Sequence, residues 1–255
     1  MSMLKTRFLA FNRSLSRELD RVWPYPLAAS FWESYTTRAA ELAGKAKPPK
    51  IVDIGAGRTT PYATSLLSSS AEIIGVDVLR EDLDANRALT QRVVCDVVSD
   101  GIPIEAQDAG LITSRMVLEH IRDLDGFARE VHSALAPGGW TIHMFAGRYS
   151  LFAILNRLLP ESASRRILFT LRPESVDVGG FATFYDNTHA EAAESVFRRA
   201  GMIDVETSVS YQTAQYFHFL FPVFVLARLW ETTLHRLGFK NFGSYVLIVA
   251  RRPEI

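Results

Sequence analysis

One cysteine, Cys95, stands in 255 residues, which excludes an internal disulfide and a cysteine-rich metal site. Its expected role is to fill the end of a strand. No run of about 18 to 20 apolar residues occurs, so no membrane-spanning helix is expected. Net charge is also lacking. The 28 basic and 28 acidic residues cancel, leaving no global field to draw the chain to nucleic acid, and no nucleic-acid partner is expected. The N-terminal segment has no continuous apolar core of the kind a signal peptide needs, because Lys5, Arg7, Arg13, Arg17, Glu18, Asp20 and Arg21 interrupt it. A cytoplasmic location is therefore expected. What is plentiful is apolar content, 48% of the chain, enough for one sizeable core and a single domain over 1–255.

Residues 50–57, Lys-Ile-Val-Asp-Ile-Gly-Ala-Gly, form an apolar strand that ends in Asp53 and two glycines. Gly55 and Gly57 remove the Cβ atoms that would hold a ligand away from the backbone, and Thr60 is expected to cap a helix that has Pro61 at its first position. A second apolar strand, Glu72-Ile-Ile-Gly-Val-Asp77, ends in an acid about 20 residues beyond Gly57, the spacing at which a βαβ unit brings a carboxylate to a ribose. The dinucleotide pattern G-x-G-x-x-G would require a third glycine where Thr60 stands. That departure and Asp53, which would repel a pyrophosphate, argue against a nicotinamide cofactor. An acid here suits a ligand that carries an ammonium or sulfonium group.

With these residues the chain resembles the class I S-adenosylmethionine-dependent methyltransferases, in their type 11-like form. Asp53-Ile-Gly-Ala-Gly57 resembles the first motif and Asp77 the ribose-binding acid; Val94-Cys95-Asp96, Leu111 to His120 and Asp123 to Trp140, with its Pro-Gly-Gly turn, continue the match in order. The resemblance implies S-adenosylmethionine as methyl donor and S-adenosylhomocysteine as product. It implies cofactor contacts from Asp53, Gly55, Ala56, Gly57, Asp77, Val78, Cys95, Asp96, Ser114 and Arg115. It also implies an α/β, Rossmann-like, doubly wound seven-stranded sheet, mostly parallel, with an antiparallel last strand between the fifth and sixth.

The alternation of apolar runs near 51–54, 72–76, 92–95, 109–114 and 139–145 with helical segments points to a parallel sheet over a cofactor-binding core, 47–146. Residues 1–46 read as a helical cap broken near Pro24 and Pro26, with Phe31, Trp32, Tyr35 and Leu42 as apolar contacts. Residues 147–188 read as a lid mixing Leu151, Phe152, Leu155, Leu158 and Leu159 with Arg148, Arg165, Arg166 and Arg172. A helix from His189 to a glycine stop at Gly201 opens the C-terminal part, 189–255, whose strands are expected near 203–209 and 244–250. Between them, 210–243 is too long for a hairpin connection and carries Phe219-Leu-Phe-Pro-Val-Phe-Val-Leu-Ala227. Pro222 is expected to bend that helix and the run to pack over the acceptor pocket, with a partner subunit or peripheral membrane contact through 216–230 as other occupants.

Methyl transfer from a sulfonium asks mainly for alignment and exclusion of water. An oxygen acceptor gains from a base, and His120 after the fourth strand, His143 in the fifth and Tyr185 at the end of the lid are the candidates. Glu119 and His120 are too few for a metal centre and read otherwise as a cap or brace for the next helix. Asp186-Asn187-Thr188 reads as a helix cap. Two functions stay open: methyl transfer to a small-molecule, glycan or amphiphilic acceptor, and cofactor binding without turnover in a regulatory or scaffold protein.

Overall fold

Strands whose side chains are buried on both faces need no polar alternation, and the two central runs of this chain have none. In the computed structural model, which describes residues 3–26, 30–66, 71–150, 153–154 and 182–254, they are β1 (Lys50–Ile54) and β4 (Ala109–Arg115). With β2 (Glu72–Asp77), β3 (Gln91–Val94), β5 (Leu135–Ala146), β6 (Ile203–Ser210) and β7 (Tyr245–Arg251) they form one sheet in the order β3-β2-β1-β4-β5-β7-β6. The pairs from β3 to β5 are parallel, and β7 runs antiparallel between β5 and β6.

The two faces carry separate cores. Val52, Ile54 and Ile112 pack with Phe127 of α4 (Leu124–Ala134) and Phe197 of α5 (Ala190–Arg199). Ile51, Leu111 and Ile142 pack with Tyr35 and Leu42 of α2 (Phe31–Lys45). Local signals set the helix ends. Ser30 and Glu33 form a reciprocal capping box at the start of α2, and Asp123 accepts from Gly126 N at the start of α4. Helix α3 (Arg80–Ala85) follows β2.

The helical cap proves to be two separate pieces. Helix α2 covers the sheet, whereas α1 (Met3–Val22) lies against α6 (Phe221–Leu237) of the 210–243 segment. Asn12 Oδ1 accepts from Phe221 N at 2.9 Å, and buried Arg228 of α6 pairs with Asp20 of α1 and with Glu231 at 3.0 Å. Pro222 sits in the first turn of α6, where its missing N–H costs no hydrogen bond, so it starts the helix instead of bending it. Phe224 is buried with Ala214 and Ala227 in a small core of their own, joined by Leu19 of α1. Most of the lid, residues 151–152 and 155–181, lies outside the described residues. Among the described residues no helix is long and apolar enough to cross a membrane.

Candidate active site

The turn after β1 is held from below, above and the side. Gly55 N and Ala56 N both donate to Val76 O. Gly57 N donates to Asp77 Oδ2 at 2.9 Å, and Leu79 N donates to Asp77 Oδ1 at 3.0 Å, which leaves each carboxylate oxygen a further lone pair. Asn86, buried, reaches Gly57 O at 3.2 Å and Thr60 Oγ1 at 3.2 Å through its side-chain amide.

The two glycines serve different ends. Gly55 has φ 67° and a Cβ there would lie 2.4 Å from Val117 Cγ2, so the turn presses on the segment after β4. Gly57 has φ 50°, but a Cβ there would meet nothing within 4 Å. The space above Gly57 is open to a ligand, with the Asp77 carboxylate beside it and half-exposed Val78 just beyond. These residues fit an adenosyl group whose ribose hydroxyls need acceptors.

Asp53 sits under the turn, 4% exposed. Thr60 Oγ1 donates to its Oδ2 at 2.8 Å and Thr113 Oγ1 to its Oδ1 at 2.7 Å, with Tyr62 OH 2.7 Å from Thr113 Oγ1 in turn. Burial pushes its carboxyl up to about 6, against the two hydrogen bonds and the charge of Arg115, so it is an anion at neutral pH that braces the turn. Thr60 therefore has another task than the one expected. Its hydroxyl ties Asp53, and a 3-10 turn, Ala63–Leu66, follows where a capped helix was expected. Arg115 lies with its guanidinium carbon 5.4 Å above the Trp32 ring, and exposed Arg58 pairs with Asp82 at 2.8 Å.

At the end of β3, half-buried Cys95 points its Sγ at Gly101 O, 3.4 Å away, and Asp96 turns back to accept from Val98 N at 3.0 Å and Ser99 Oγ at 3.0 Å. Ser114 departs from expectation. The residue is fully buried and its hydroxyl lies 2.7 Å from His143 Nδ1.

His143 is likewise no base. It is 0% exposed, flanked by the Phe127 and Phe197 rings at 5.7 and 5.4 Å, and Thr141 Oγ1 lies 2.6 Å from its Nε2. Because Thr141 already spends its hydroxyl proton on Ile112 O, it accepts from Nε2–H, and Nδ1 accepts from Ser114. Burial drops the imidazole to about 3, which keeps it neutral.

A cavity of about 210 Å³ opens at the same end of the sheet. Met116, Glu119 and His120 line it after β4, Ala146 at the end of β5, Tyr185 before α5, and Tyr245 at the start of β7. The 210–243 segment contributes Thr213 and Tyr216, beside the 3-10 turn Ala214–Phe217, instead of the Phe219 to Ala227 run expected there. His120 Nδ1 lies 2.9 Å from Ala182 O and so carries the proton. Tyr185, buried, with φ 53°, donates from its N–H to Glu119 O at 3.2 Å beside Phe184 N at 2.8 Å, and its carbonyl accepts from Arg148 Nη1 at 3.0 Å. Neither Glu119 nor His120 caps α4, since Asp123 does; Asp186 Oδ2 accepts from Leu124 N at 3.3 Å, and the residue before α5 is His189, so 186–188 is not its cap. Among the described residues no cluster of three or more His, Cys, Asp or Glu could hold a metal ion.

A glycine turn bound to the acid that ends β2, beside a cavity at the carboxyl ends of β4 and β5 on a 3214576 sheet, defines a class I methyltransferase fold. The chain belongs to the Methyltransferase domain family, which it matches over residues 27–221. It is 27% identical over 134 residues to the ubiquinone biosynthesis O-methyltransferase of Bordetella avium (strain 197N), covering 47% of this chain and 55% of the relative. It thus spans about half the length of that curated relative. Two solved structures share the fold. An S-adenosylmethionine dependent methyltransferase from Mesorhizobium loti has a TM-score of 0.54 at 18% identity, covering 88% of this chain and 99% of that one. A SAM dependent methyltransferase from Archaeoglobus fulgidus has 0.50 at 14% identity, covering 94% of each chain.

Proposed function

We propose that this chain methylates a small-molecule, glycan or amphiphilic acceptor at oxygen, with the acceptor in the 210 Å³ cavity beside the glycine turn. S-adenosylmethionine, when bound, supplies an electrophilic methyl group. Asp53, Gly55, Ala56, Gly57, Asp77, Val78, Cys95, Asp96 and Arg115 would hold it. In that reading Asp77 accepts from the ribose hydroxyls through the lone pairs that Gly57 and Leu79 leave, and the open space above Gly57 receives the donor. The single observation that carries the reading is the nearness of that turn to the cavity: Gly55 abuts Val117, and Met116 and Glu119, on either side of it in sequence, line the cavity.

The walls suit the acceptor class. Tyr185, Tyr216, Tyr245 and Met116 offer apolar surface, while His120 and Glu119 offer polar atoms, and the named activity of the Bordetella relative favours oxygen. His120 and Tyr185 remain the groups proposed to orient the acceptor. A cytoplasmic enzyme is the proposed setting; the exposed Leu226, Leu229 and Trp230 of α6 are the surface through which 216–230 would touch a membrane or a second copy. The test is incubation with methyl-labelled S-adenosylmethionine and a metabolite extract. Label in a small organic product supports the reading. Cofactor binding without any transferred label would favour the regulatory or scaffold alternative.

A further inference from the structure

The cavity holds two buried polar atoms with no partner among the described residues, Glu119 Oε2 and Thr213 Oγ1. Both residues are all but sealed, Glu119 at 2% and Thr213 at 1% exposure. A buried acceptor left unsatisfied costs about 1 to 3 kcal/mol, more if charged, so two in one cavity mark a place built for a ligand's polar group. They come from different segments, Glu119 from the one after β4 and Thr213 from the one after β6. Glu119 is fixed by its own carbonyl, which takes the N–H groups of Phe184 and Tyr185 at 2.8 and 3.2 Å, and Thr213 by its amide, which donates to buried Glu231.

We propose that Glu119 and Thr213 together recognise the acceptor's hydroxyl group, the hydroxyl donating to Glu119 Oε2 and accepting from Thr213 Oγ1. This rests on the methyltransferase reading and names its acceptor more closely: a hydroxyl on a small apolar ring or chain. The rest of the lining fits such a body, since Met116, Ala146, Tyr185, Tyr216 and Tyr245 present carbon surface. A volume of about 210 Å³ lies below the roughly 300 to 1,000 Å³ of sites that engulf a drug-sized ligand, so the cavity admits the hydroxyl-bearing head of a larger acceptor, or a small one whole. A hydroxyl is matched by one acceptor and one donor, the pair present here, whereas an ammonium offers three donors and no acceptor and would leave the threonine proton without a partner.

Burial raises the Glu119 carboxyl to about 7, although its own amide and that of Ala146 favour the charged form. Binding of a hydroxyl donor should then strengthen as pH rises through 7. The other ionisable groups around the cavity are His120 on the same turn, Tyr185, Tyr216 and Tyr245 in the walls, and Arg148 behind Tyr185. The pH response must be assigned between Glu119 and His120.

The experiment measures binding of 4-ethylphenol, ethylbenzene and benzylamine to the full chain saturated with S-adenosylhomocysteine, between pH 6 and 8. The wild type is expected to prefer 4-ethylphenol over ethylbenzene by about tenfold or more, one charged hydrogen bond. That preference should grow with pH, should keep its pH response in His120→Gln, and should lose both size and pH response in Glu119→Gln. Thr213→Val should reduce it about fivefold. S-adenosylhomocysteine affinity unchanged in each variant shows that the fold is intact. If 4-ethylphenol binds the wild type no better than ethylbenzene, if the preference survives in Glu119→Gln, or if benzylamine binds best, the proposal is overturned. Failure of the wild type to bind S-adenosylhomocysteine would instead remove the reading beneath it.

Discussion

Gly57 and Asp77 share a hydrogen bond, from the glycine N–H to Oδ2 at 2.9 Å, so the glycine turn and the end of β2 are one unit. Asp77→Ala would remove that brace as well as any ribose contact. Losing a charged hydrogen bond costs about 1.5 to 3 kcal/mol, so affinity for S-adenosylhomocysteine should fall tenfold or more, and the lost brace should lower the melting temperature as well. Calorimetry on the variant checks this, and unchanged affinity would take Asp77 out of the site.

The glycine pair should respond unequally to alanine. Gly55→Ala forces a left-handed side-chain residue against Val117, where the Cβ would lie 2.4 Å from Cγ2, and stability should drop by about 1 to 3 kcal/mol or more. Gly57→Ala meets no protein atom within 4 Å and should fold, at a smaller cost, yet its methyl enters the space proposed for the donor. Urea unfolding and cofactor titration of both variants should therefore separate a stability defect from a binding defect. Equal losses in both measurements would contradict the assignment.

His143 gives the fold an acid-sensitive element. Its folded imidazole has been lowered to about 3 from 6.5, so the unfolded chain takes up a proton that the folded chain refuses. The contribution is fully present above 6.5 and is lost as pH falls, by roughly 3 kcal/mol on reaching about pH 4.5. Asp53 and Glu119 act in the opposite sense, since their raised carboxyls favour the fold at low pH and cease to do so through about 6 and about 7. Comparing unfolding free energies of the wild type and His143→Gln across this range isolates the histidine. A variant with the same acid slope would mean that the folded imidazole does take a proton.

Arg228 is the counter-charge for both Asp20 and Glu231, and Glu231 in turn holds the amides of Thr213 and Ala214. Arg228→Met would strand a buried carboxylate at a cost of about 3 to 5 kcal/mol. Pairing it with Glu231→Gln should recover part of that loss. A double-variant cycle by chemical denaturation reads the coupling, and simple additivity would show that the two groups act independently.

Strands and turn were legible in the sequence because they depend on neighbours in the chain. The apolar runs of β1 and β4, Asp53-Ile-Gly-Ala-Gly57 and Asp77 each announce themselves locally. What escaped depends on register. Asp53 stands beside Thr113 across β1 and β4, and Ser114 beside His143 across β4 and β5. No local pattern says that a serine assigned to the cofactor would satisfy a histidine assigned to the acceptor. Asn86 and Tyr62 escaped likewise, as single polar residues without a motif, and Glu119 showed only as a neighbour of His120. Pro222 was misread because a proline inside an apolar run looks the same whether it bends a helix or begins one.

The sheet also imposes an order of assembly. Among the described residues strand β6 has a single neighbour in it, β7, which is made after the whole 210–243 segment. While the ribosome has delivered only as far as α6, Ile203–Ser210 has no place to dock and β5 has a bare edge. One late strand closes both gaps at once: at about 5 to 20 residues per second the stretch from Leu237 to Arg251 takes roughly 0.7 to 3 seconds, and only then does the cavity gain Tyr245 in its wall.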